Sequence, residues 1–185
     1  EDLCIRLTAI NRSKDSKRLH ILPHLWLRNT WSWKKKEKPG HIELGEGCLT
    51  ANYADLGKRY LYFEGPMTAL FTENETNFQK LFSKPNATPF VKDAFHESIV
   101  KGNKAALSSE RRGTKSALHT AVEIPPQGQV ALRLRFCDAV QKKPFSDVET
   151  IFSQRKKEAD QFYEEIAPKN LPEERRAIQR QAFAG

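Results

Sequence analysis

Cysteine, methionine and long apolar runs are scarce in this chain of 185 residues. It contains three cysteines, Cys4, Cys48 and Cys137, and one methionine. Because the cysteines lie far apart and are odd in number, they form neither a metal-binding spacing nor a disulfide framework, and we expect reduced thiols in a cytoplasmic protein. No apolar run approaches the roughly 20 residues that cross a bilayer, and no signal-peptide pattern opens the chain, so no membrane contact is expected.

Acidic residues are outnumbered by basic ones, which gives a net charge of +8. The one concentrated basic run is Lys34-Lys35-Lys36-Glu37-Lys38, and the Pro39-Gly40 that follows is typical of a solvated loop between two strands. No zinc-finger, helix-turn-helix or aromatic RNA-binding pattern accompanies this run, so nucleic acid is not an expected partner. Nucleophile signatures, glycine-rich phosphate loops and dinucleotide fingerprints are also absent, and we expect no cofactor.

Alternation of apolar and polar residues dominates the first 144 residues. Leu3, Ile5 and Leu7 alternate with more polar neighbours, and a run from Val130 to Phe136 does the same near the end of this region. The second run follows the turn signal Pro125-Pro126-Gln127-Gly128. Short antiparallel strands separated by turns predict a mainly β domain, an antiparallel β-sandwich, over residues 1–144.

Two stretches of this domain depart from simple alternation. Leu19 to Trp33 is predicted as one long extended run in which Pro23 marks an edge or a bulge. Between residues 77 and 113 the strand pattern lapses, although Phe78, Leu81 and Phe82 have helical spacing. An irregular insertion of this length is usually functional or packs on a neighbour.

A helical period begins near residue 145. Ser146 and Glu149 have the spacing of a capping box, and an apolar stripe follows them. Pro168 ends this helix, and Pro172 suits the first turn of another. Residues 145–185 are therefore predicted to be a helical linker. Because the chain opens directly in a strand pattern and closes in a helical one, we expect it to be an internal piece of a longer protein.

Two segments carry the residues best suited to bind a ligand. Trp31 and Trp33 lie two apart in the first segment, shortly after Arg28. About forty residues later comes the second segment, with the carboxylates and carboxamides Glu73, Asn74, Glu75 and Asn77. Indole rings stack on the C–H face of a sugar, and polar groups bind its hydroxyls. These residues are candidates for contact with a carbohydrate or with a neighbouring domain. The guanidinium of Arg28 is suited to donate two hydrogen bonds to the Glu73 carboxylate.

The pair Glu73 and Glu75 invites a catalytic interpretation. On a strand the two side chains would share one face, about 6.5–7 Å apart, close to the separation of roughly 6.5–9.5 Å in inverting glycosidases. Catalytic carboxylates must flank the scissile bond from opposite sides, however, and neighbours on one strand do not. Anchoring of a loop or contact with another domain is the preferred interpretation, and no catalytic residue is assigned.

Histidines and carboxylates at short spacings are the remaining candidates for metal ligands. Asp93, His96 and Glu97 have helical spacing, which favours a hydrogen-bonded cluster because no further ligand is evident; Asp93 and His96 join the contact candidates. His20 and His24 would form a metal pair on a helix, but Pro23 removes that geometry. No metal site is predicted.

Longer motifs connect the chain to a known family. The runs LHILPHLWLRNTWSW, LYFEG, LFTENETN, PNATPFVKDAFHESIV and GTKSALH, and then IFSQRKKEADQFYEEI and QRQAFAG, resemble the N-terminal region of large bacterial proteins of glycoside hydrolase family 63. These glucosidase-like proteins are related to mannosyl-oligosaccharide glucosidase. The resemblance covers essentially the whole chain.

The resemblance implies a supersandwich-like β-domain ahead of an (α/α)₆ barrel that hydrolyses α-glycosidic bonds with inversion. The acid and base carboxylates of that family belong to the barrel, so none is placed on this chain. The implied partners are the downstream barrel of the same protein and an oligosaccharide. By this resemblance the opening strands of the sandwich are missing, and the chain alone is expected to be inactive. A free-standing carbohydrate-binding module remains the alternative.

Overall fold

The computed structural model describes residues 2–33, 38–54 and 56–184. Its strands are β1 (Asp2–Ile10), β2 (Lys17–Ile21), β3 (His24–Trp26), β4 (His41–Leu44), β5 (Cys48–Tyr53), β6 (Gly57–Phe63), β7 (Thr68–Thr72), β8 (Arg112–Gly113), β9 (Lys115–Ile124) and β10 (Gln129–Cys137). Its α-helices are α1 (Phe78–Phe82), α2 (Ala94–Lys101), α3 (Val148–Ile166) and α4 (Glu173–Ala184). Within the described ranges, no helix is both long enough and apolar enough to cross a membrane.

The internal contacts divide the chain into two compact units, 1–142 and 143–185. All described strands lie in the first unit and form two antiparallel sheets. One sheet has six strands in the order β1-β10-β6-β5-β4-β8. In the other, β9 pairs with β2 and β3 along one edge and with β7 along the other. The predicted mainly β, antiparallel fold with C-terminal helices is confirmed.

The register of β1 and β10 shows why the alternation was informative. Leu3 lies opposite Phe136, Ile5 opposite Leu134, and Leu7 opposite Leu132. Directly opposed residues of an antiparallel pair share a face, so these six apolar side chains lie together on one side of the sheet. The other face carries Arg133 and Arg135, as their positions in the sequence predict.

The two sheets share one hydrophobic core, which makes the unit a two-layer sandwich. Its buried members come from both layers: Leu27, Ile42, Leu49, Ala51, Leu61, Phe71, Leu118 and Leu134. Phe71 of β7 is only 2% exposed, and Leu118 of β9 is fully buried. Burial of one face on each sheet is what the period-2 pattern of a half-buried strand requires.

The long extended run predicted from Leu19 to Trp33 is wrong. β2 ends at Ile21 and β3 occupies only His24–Trp26, both pairing with β9. Pro23 lies between them and its carbonyl accepts a hydrogen bond from the Leu118 N–H at 2.9 Å. Because proline has no N–H to donate, the ladder is interrupted at this point. Beyond Trp26 the chain leaves the sheet and forms a turn at residues 31–33.

The predicted irregular insertion, residues 77–113, contains helices α1 and α2, a 3₁₀ turn at Lys104–Ala106, and strand β8. The helical spacing of Phe78, Leu81 and Phe82 is confirmed by α1. Gly113 of β8 lies against the backbone of Thr72, where an added Cβ would come within 2.3 Å of the Thr72 carbonyl oxygen. Glycine is therefore required where the insertion returns to the sheets.

The second unit contains α3 and α4, which are linked by the Arg180–Asp160 ion pair at 2.6 Å. Helix α3 ends before Pro168 and α4 follows Pro172, as predicted. The predicted start of α3 was one residue early, since Asp147 occupies the N-cap position and Val148 opens the helix. The lysine-rich loop predicted at residues 34–38 lies outside the described residues except for Lys38.

Candidate functional site

The two segments singled out by the sequence lie against each other at the point where both leave the second sheet. Asn74 joins them: its side-chain amide donates to the Leu27 carbonyl at 2.8 Å, and its own carbonyl accepts from the Asn29 side chain at 3.0 Å. The Leu27 N–H in turn donates to the Thr114 carbonyl at 2.9 Å. These contacts make one hydrogen-bonded cluster of segments 27–33 and 73–77, with Thr114 at its base. We call it the Trp-Glu cluster.

Trp31 is the anchored tryptophan of the Trp-Glu cluster. Its indole N–H donates to Glu75 Oε1 at 2.9 Å, and its half-buried ring packs against the hydrophobic core. An N–H donor paired with a carboxylate is one of the stronger hydrogen bonds in proteins. Trp31 therefore supports the segment, and Glu75 orients the indole.

Trp33 is the exposed tryptophan of the Trp-Glu cluster, with 67% of its surface accessible. The Arg28 guanidinium carbon lies 5.2 Å from the centroid of the Trp33 ring, within the range of a cation–π contact. The two tryptophans do not share the face of an extended strand, because the chain turns here. The backbone N–H of Trp33 donates to the Thr30 carbonyl at 3.0 Å. One indole is therefore held by the core and the other is open to solvent.

Glu73 and Glu75 follow strand β7 and are not part of it. Glu73 Oε2 accepts hydrogen bonds from both the backbone N–H, at 3.1 Å, and the hydroxyl of Thr114. Arg28, which the sequence suggested as the partner of Glu73, lies over Trp33 instead. Each carboxylate thus accepts from a different neighbour, Glu73 from Thr114 and Glu75 from Trp31.

Asn77 and Asp93 form a second, adjoining cluster at the start of α1 and α2. Asn77 caps α1 by accepting from the Lys80 N–H at 3.0 Å, while its amide donates to Asp93 Oδ1 at 3.1 Å. Lys80 Nζ lies 3.1 Å from Asp93 Oδ2 and 3.9 Å from Glu97 Oε1. Although burial raises the pKa of the Asp93 carboxyl, hydrogen bonds from Lys80 and Asn77 outweigh this effect and the net pKa is lowered.

The acidic residues of this second cluster are thus neutralised by lysines, since Glu97 also pairs with Lys101 at 2.9 Å. His96 lies exposed on α2, beside Glu97 in sequence. Across the described ranges, no group of three or more His, Cys, Asp or Glu side chains converges as a metal ion would need. The hydrogen-bonded cluster preferred from the sequence thus includes Asp93 and Glu97 but, among the described residues, no contact joins His96 to it.

Thr114, at the base of the Trp-Glu cluster, and Tyr53, which contacts the cluster, were not identified from the sequence. Thr114 is 4% exposed, and its hydroxyl accepts from the Asn74 N–H at 2.8 Å. The Tyr53 hydroxyl lies 2.6 Å from that of Thr30. Neither residue stands in a motif, and each is separated from its partner by more than twenty positions, so no local signal could have identified it.

Histidines on the outer face of the second sheet form another group that the sequence did not assemble. His24 packs edge-on against Phe95 of α2, with ring centroids 5.2 Å apart. Desolvation, and then the nearby Lys115, lower the pKa of His24. His20 meets His119 rather than His24: His20 Nδ1 lies 2.9 Å from His119 Nε2. Desolvation, followed by the charges of His20 and Arg18, lowers the pKa of His119.

Comparison with known proteins gives one informative relative. The chain is similar to the uncharacterized protein YMR196W of Saccharomyces cerevisiae, with 33% identity over an alignment 223 positions long. That alignment covers 100% of this chain but only 20% of the yeast protein, so the chain spans about a fifth of its relative's length. No family model matches the chain, and no solved structure matches it.

Proposed function

We propose that this chain is the non-catalytic β-sandwich portion of a glycoside hydrolase that acts on α-glucosidic bonds. In this proposal an (α/α)₆ barrel of the same polypeptide carries out hydrolysis with inversion. The sandwich supports the barrel, and the Trp-Glu cluster contributes to one rim of the sugar site. The motif resemblance to glycoside hydrolase family 63 supports this assignment, and the similarity to a much longer protein is compatible with it.

The observation that carries the non-catalytic role is the engagement of both candidate carboxylates. Glu73 accepts two hydrogen bonds from Thr114, and Glu75 accepts one from Trp31. A general acid or base must have an oxygen facing the scissile bond. Here the carboxylates hold two loops together, which is the task of a supporting structure.

The observation that favours a rim contact is the contrast between the two indoles. Trp31 is fixed by Glu75 and the core, whereas Trp33 is 67% exposed and has Arg28 beside its ring. An exposed indole offers an apolar face for the C–H groups of a sugar, and a guanidinium next to it can donate to hydroxyls. Because Trp31 fixes the segment and Trp33 is exposed, the segment is suited to present the Trp33 ring to a ligand.

The proposal is tested by comparing the parent polypeptide with the isolated 185-residue chain on α-linked gluco-oligosaccharides. We expect the parent to release the β-anomer of the reducing sugar, followed by NMR, and the isolated chain to release none. Turnover by the isolated chain would contradict the non-catalytic role. A parent that cleaves no α-glucoside would refute the assignment as a whole.

The rim contact has its own test in the parent. Trp33→Ala is expected to raise KM with kcat nearly unchanged, because the indole would bind ground state and transition state alike. Trp26→Ala is the matched control, since Trp26 of β3 is also exposed, at 54%, but lies outside the Trp-Glu cluster. Equal kinetics of the two variants would remove Trp33 from the sugar site and leave the rest of the proposal standing.

A free-standing carbohydrate-binding module is the second candidate, and the exposure of Trp33 favours it. Maltooligosaccharide titration of the isolated chain, followed by tryptophan fluorescence, separates the two. A module should show saturable quenching that Trp33→Ala abolishes and Trp26→Ala retains. No change in fluorescence at millimolar sugar would leave the supporting role as the better proposal.

A cytoplasmic location completes the proposal. It is supported by the three cysteines, all of them described, none of which forms a disulfide. Fractionation of cells that produce the parent protein tests it, and recovery from the culture medium with an oxidised cysteine pair would contradict it.

A further inference from the structure

His20 and His119 meet on the outer face of the second sheet as a consequence of strand register. In the pairing of β2 with β9, His20 lies opposite Ala121 and Ile21 opposite Thr120. His119 is two residues from Ala121 and therefore lies on the same face as His20, one diagonal step away. Diagonal neighbours are within reach of each other when both side chains are aromatic. The backbone ladder thus holds the two imidazoles together although 99 positions separate them.

The two imidazoles face each other through nitrogen atoms. His20 Nδ1 and His119 Nε2 are 2.9 Å apart, and the ring planes differ by only 11°. The ring centroids are 5.2 Å apart, which exceeds the nitrogen separation by about one ring width, so the rings meet edge to edge in nearly one plane. In such a pair one nitrogen donates and the other accepts.

Both facing nitrogens become metal donors once the hydrogen-bonding proton moves to the second nitrogen of its own ring. Because the two nitrogens point at each other, an ion bound to both must lie beside the line that joins them. Two imidazole nitrogens bound to one ion at about 2.0–2.1 Å, with angles of roughly 90–110° at the metal, lie about 2.9–3.4 Å apart. The observed separation of 2.9 Å falls at the short end of this range. Both rings must turn to aim their nitrogens at such an ion. His20 is exposed and His119 is half-buried on the outer face of the sheet, so both rings lie away from the core.

We propose that His20 and His119 form a two-imidazole site for a late first-row divalent metal ion, with Cu²⁺ bound most tightly and Ni²⁺ and Zn²⁺ less so. Imidazole suits these ions, whereas Mg²⁺ and Ca²⁺ take oxygen ligands. The remaining coordination positions belong to water, because no group of three His, Cys, Asp or Glu side chains converges in the described ranges. Arg18, opposite Glu123 on the same face, places a positive charge nearby and limits the affinity.

The consequence for the fold is a metal-dependent cross-link between β2 and β9. Among the described strands, β2 pairs with β9 alone and forms an edge of its sheet. An ion bound by one histidine from each strand favours the folded state, because only the folded state brings together two histidines that are 99 positions apart. This site lies outside the Trp-Glu cluster, so the proposal of a metal site does not depend on the proposed glycosidase role.

Cu²⁺ titration of the untagged chain in a non-coordinating buffer tests the site, with calorimetry for affinity and EPR for ligand identity. We expect one ion per chain and nitrogen hyperfine structure from two imidazoles. His20→Gln and His119→Gln should each weaken binding by about tenfold or more. His96→Gln, a histidine of α2, is the matched control and should leave affinity unchanged.

Two further readouts keep the result decisive if one variant folds poorly. The midpoint of thermal unfolding should rise with Cu²⁺ or Ni²⁺ in the wild type and in His96→Gln, but not in either site variant. Millimolar Mg²⁺ should neither bind nor compete. Unchanged affinity in both His20→Gln and His119→Gln, or an EPR signal without two imidazole nitrogens, would overturn the proposal.

Discussion

Replacement of Thr114 by valine is the most direct test of how the Trp-Glu cluster is held together. The Thr114 side chain is nearly buried, and its hydroxyl accepts from the Asn74 N–H at 2.8 Å while it donates to Glu73 Oε2. Valine has almost the same shape, so Thr114→Val removes both hydrogen bonds without opening a cavity. Any loss of stability then measures the hydrogen bonds themselves.

The magnitude follows from the two partners. A hydrogen bond to a charged acceptor contributes about 1.5–3 kcal/mol, and a neutral one contributes about 1 kcal/mol. Glu73 keeps the Thr114 backbone N–H at 3.1 Å, and both Glu73 and Asn74 are half-buried, so water compensates part of the loss. We therefore expect Thr114→Val to lower the free energy of unfolding by about 2 kcal/mol.

Urea denaturation followed by tryptophan fluorescence is the appropriate assay. The three tryptophans, Trp26, Trp31 and Trp33, all lie in unit 1–142, so the signal reports that unit and not the helices after it. With an m-value of about 2 kcal/mol/M, a loss of about 2 kcal/mol lowers the urea midpoint by about 1 M at unchanged m.

Thr68→Val is the matched control for this measurement. Thr68 opens β7 at an exposed position, and its hydroxyl makes no hydrogen bond within the described ranges. Its change should stay within about 0.5 kcal/mol. If both variants shift the midpoint equally, or if Thr114→Val shifts it by less than 0.3 M (about a third of the expected change), then the Thr114 hydroxyl does not hold the cluster.

Three further outcomes are expected. Phe71→Ala should lower the free energy of unfolding by about 3–5 kcal/mol in the same assay, because this ring is almost fully buried between the sheets; a loss below 1 kcal/mol would place the core elsewhere. Trp31→Phe should cost about 1 kcal/mol through loss of the hydrogen bond to Glu75, and Glu75→Gln should cost less because the amide oxygen still accepts. His24 should titrate by NMR below its ordinary value of 6.5, owing to desolvation against Phe95. Because the unfolded chain takes up this proton more readily, the contribution of His24 to stability is present above that value and declines as the pH falls below it; an NMR midpoint at or above 6.5 would contradict this.

Local patterns were sufficient where one face of an element is buried. The alternation in β1 and β10 predicted which residues share a face, because a strand directs alternate side chains to opposite sides. It did not predict burial, since Leu3 on the apolar face is exposed and Arg135 on the other face is buried. Proline predicted the C-terminal end of α3 and the start of α4 for an equally local reason. The same reasoning failed between Leu19 and Trp33, since hydrophobicity alone did not show where the chain would leave the sheet.

The candidate site shows the limit of local patterns more sharply. The composition of the segments around Trp31 and Glu73 marked them as chemically unusual. It did not show that Thr114 would accept from Asn74, or that His20 would meet His119, 99 positions away. Contacts of this kind depend on which strands become neighbours and in what register, and register is a property of the whole sheet.

The sequence by itself determined the strand faces, the helical end of the chain and the two polar-aromatic segments, because periodicity and proline act within a few residues. Only the tertiary structure decided what those segments do. It placed Thr114 against Glu73, 41 positions away, and Trp31 against Glu75, 44 positions away. Glu73 and Glu75 have the sequence spacing of a catalytic pair, but through those long-range hydrogen bonds their carboxylates hold neighbouring segments together. They leave Trp33 as the exposed ring of the cluster.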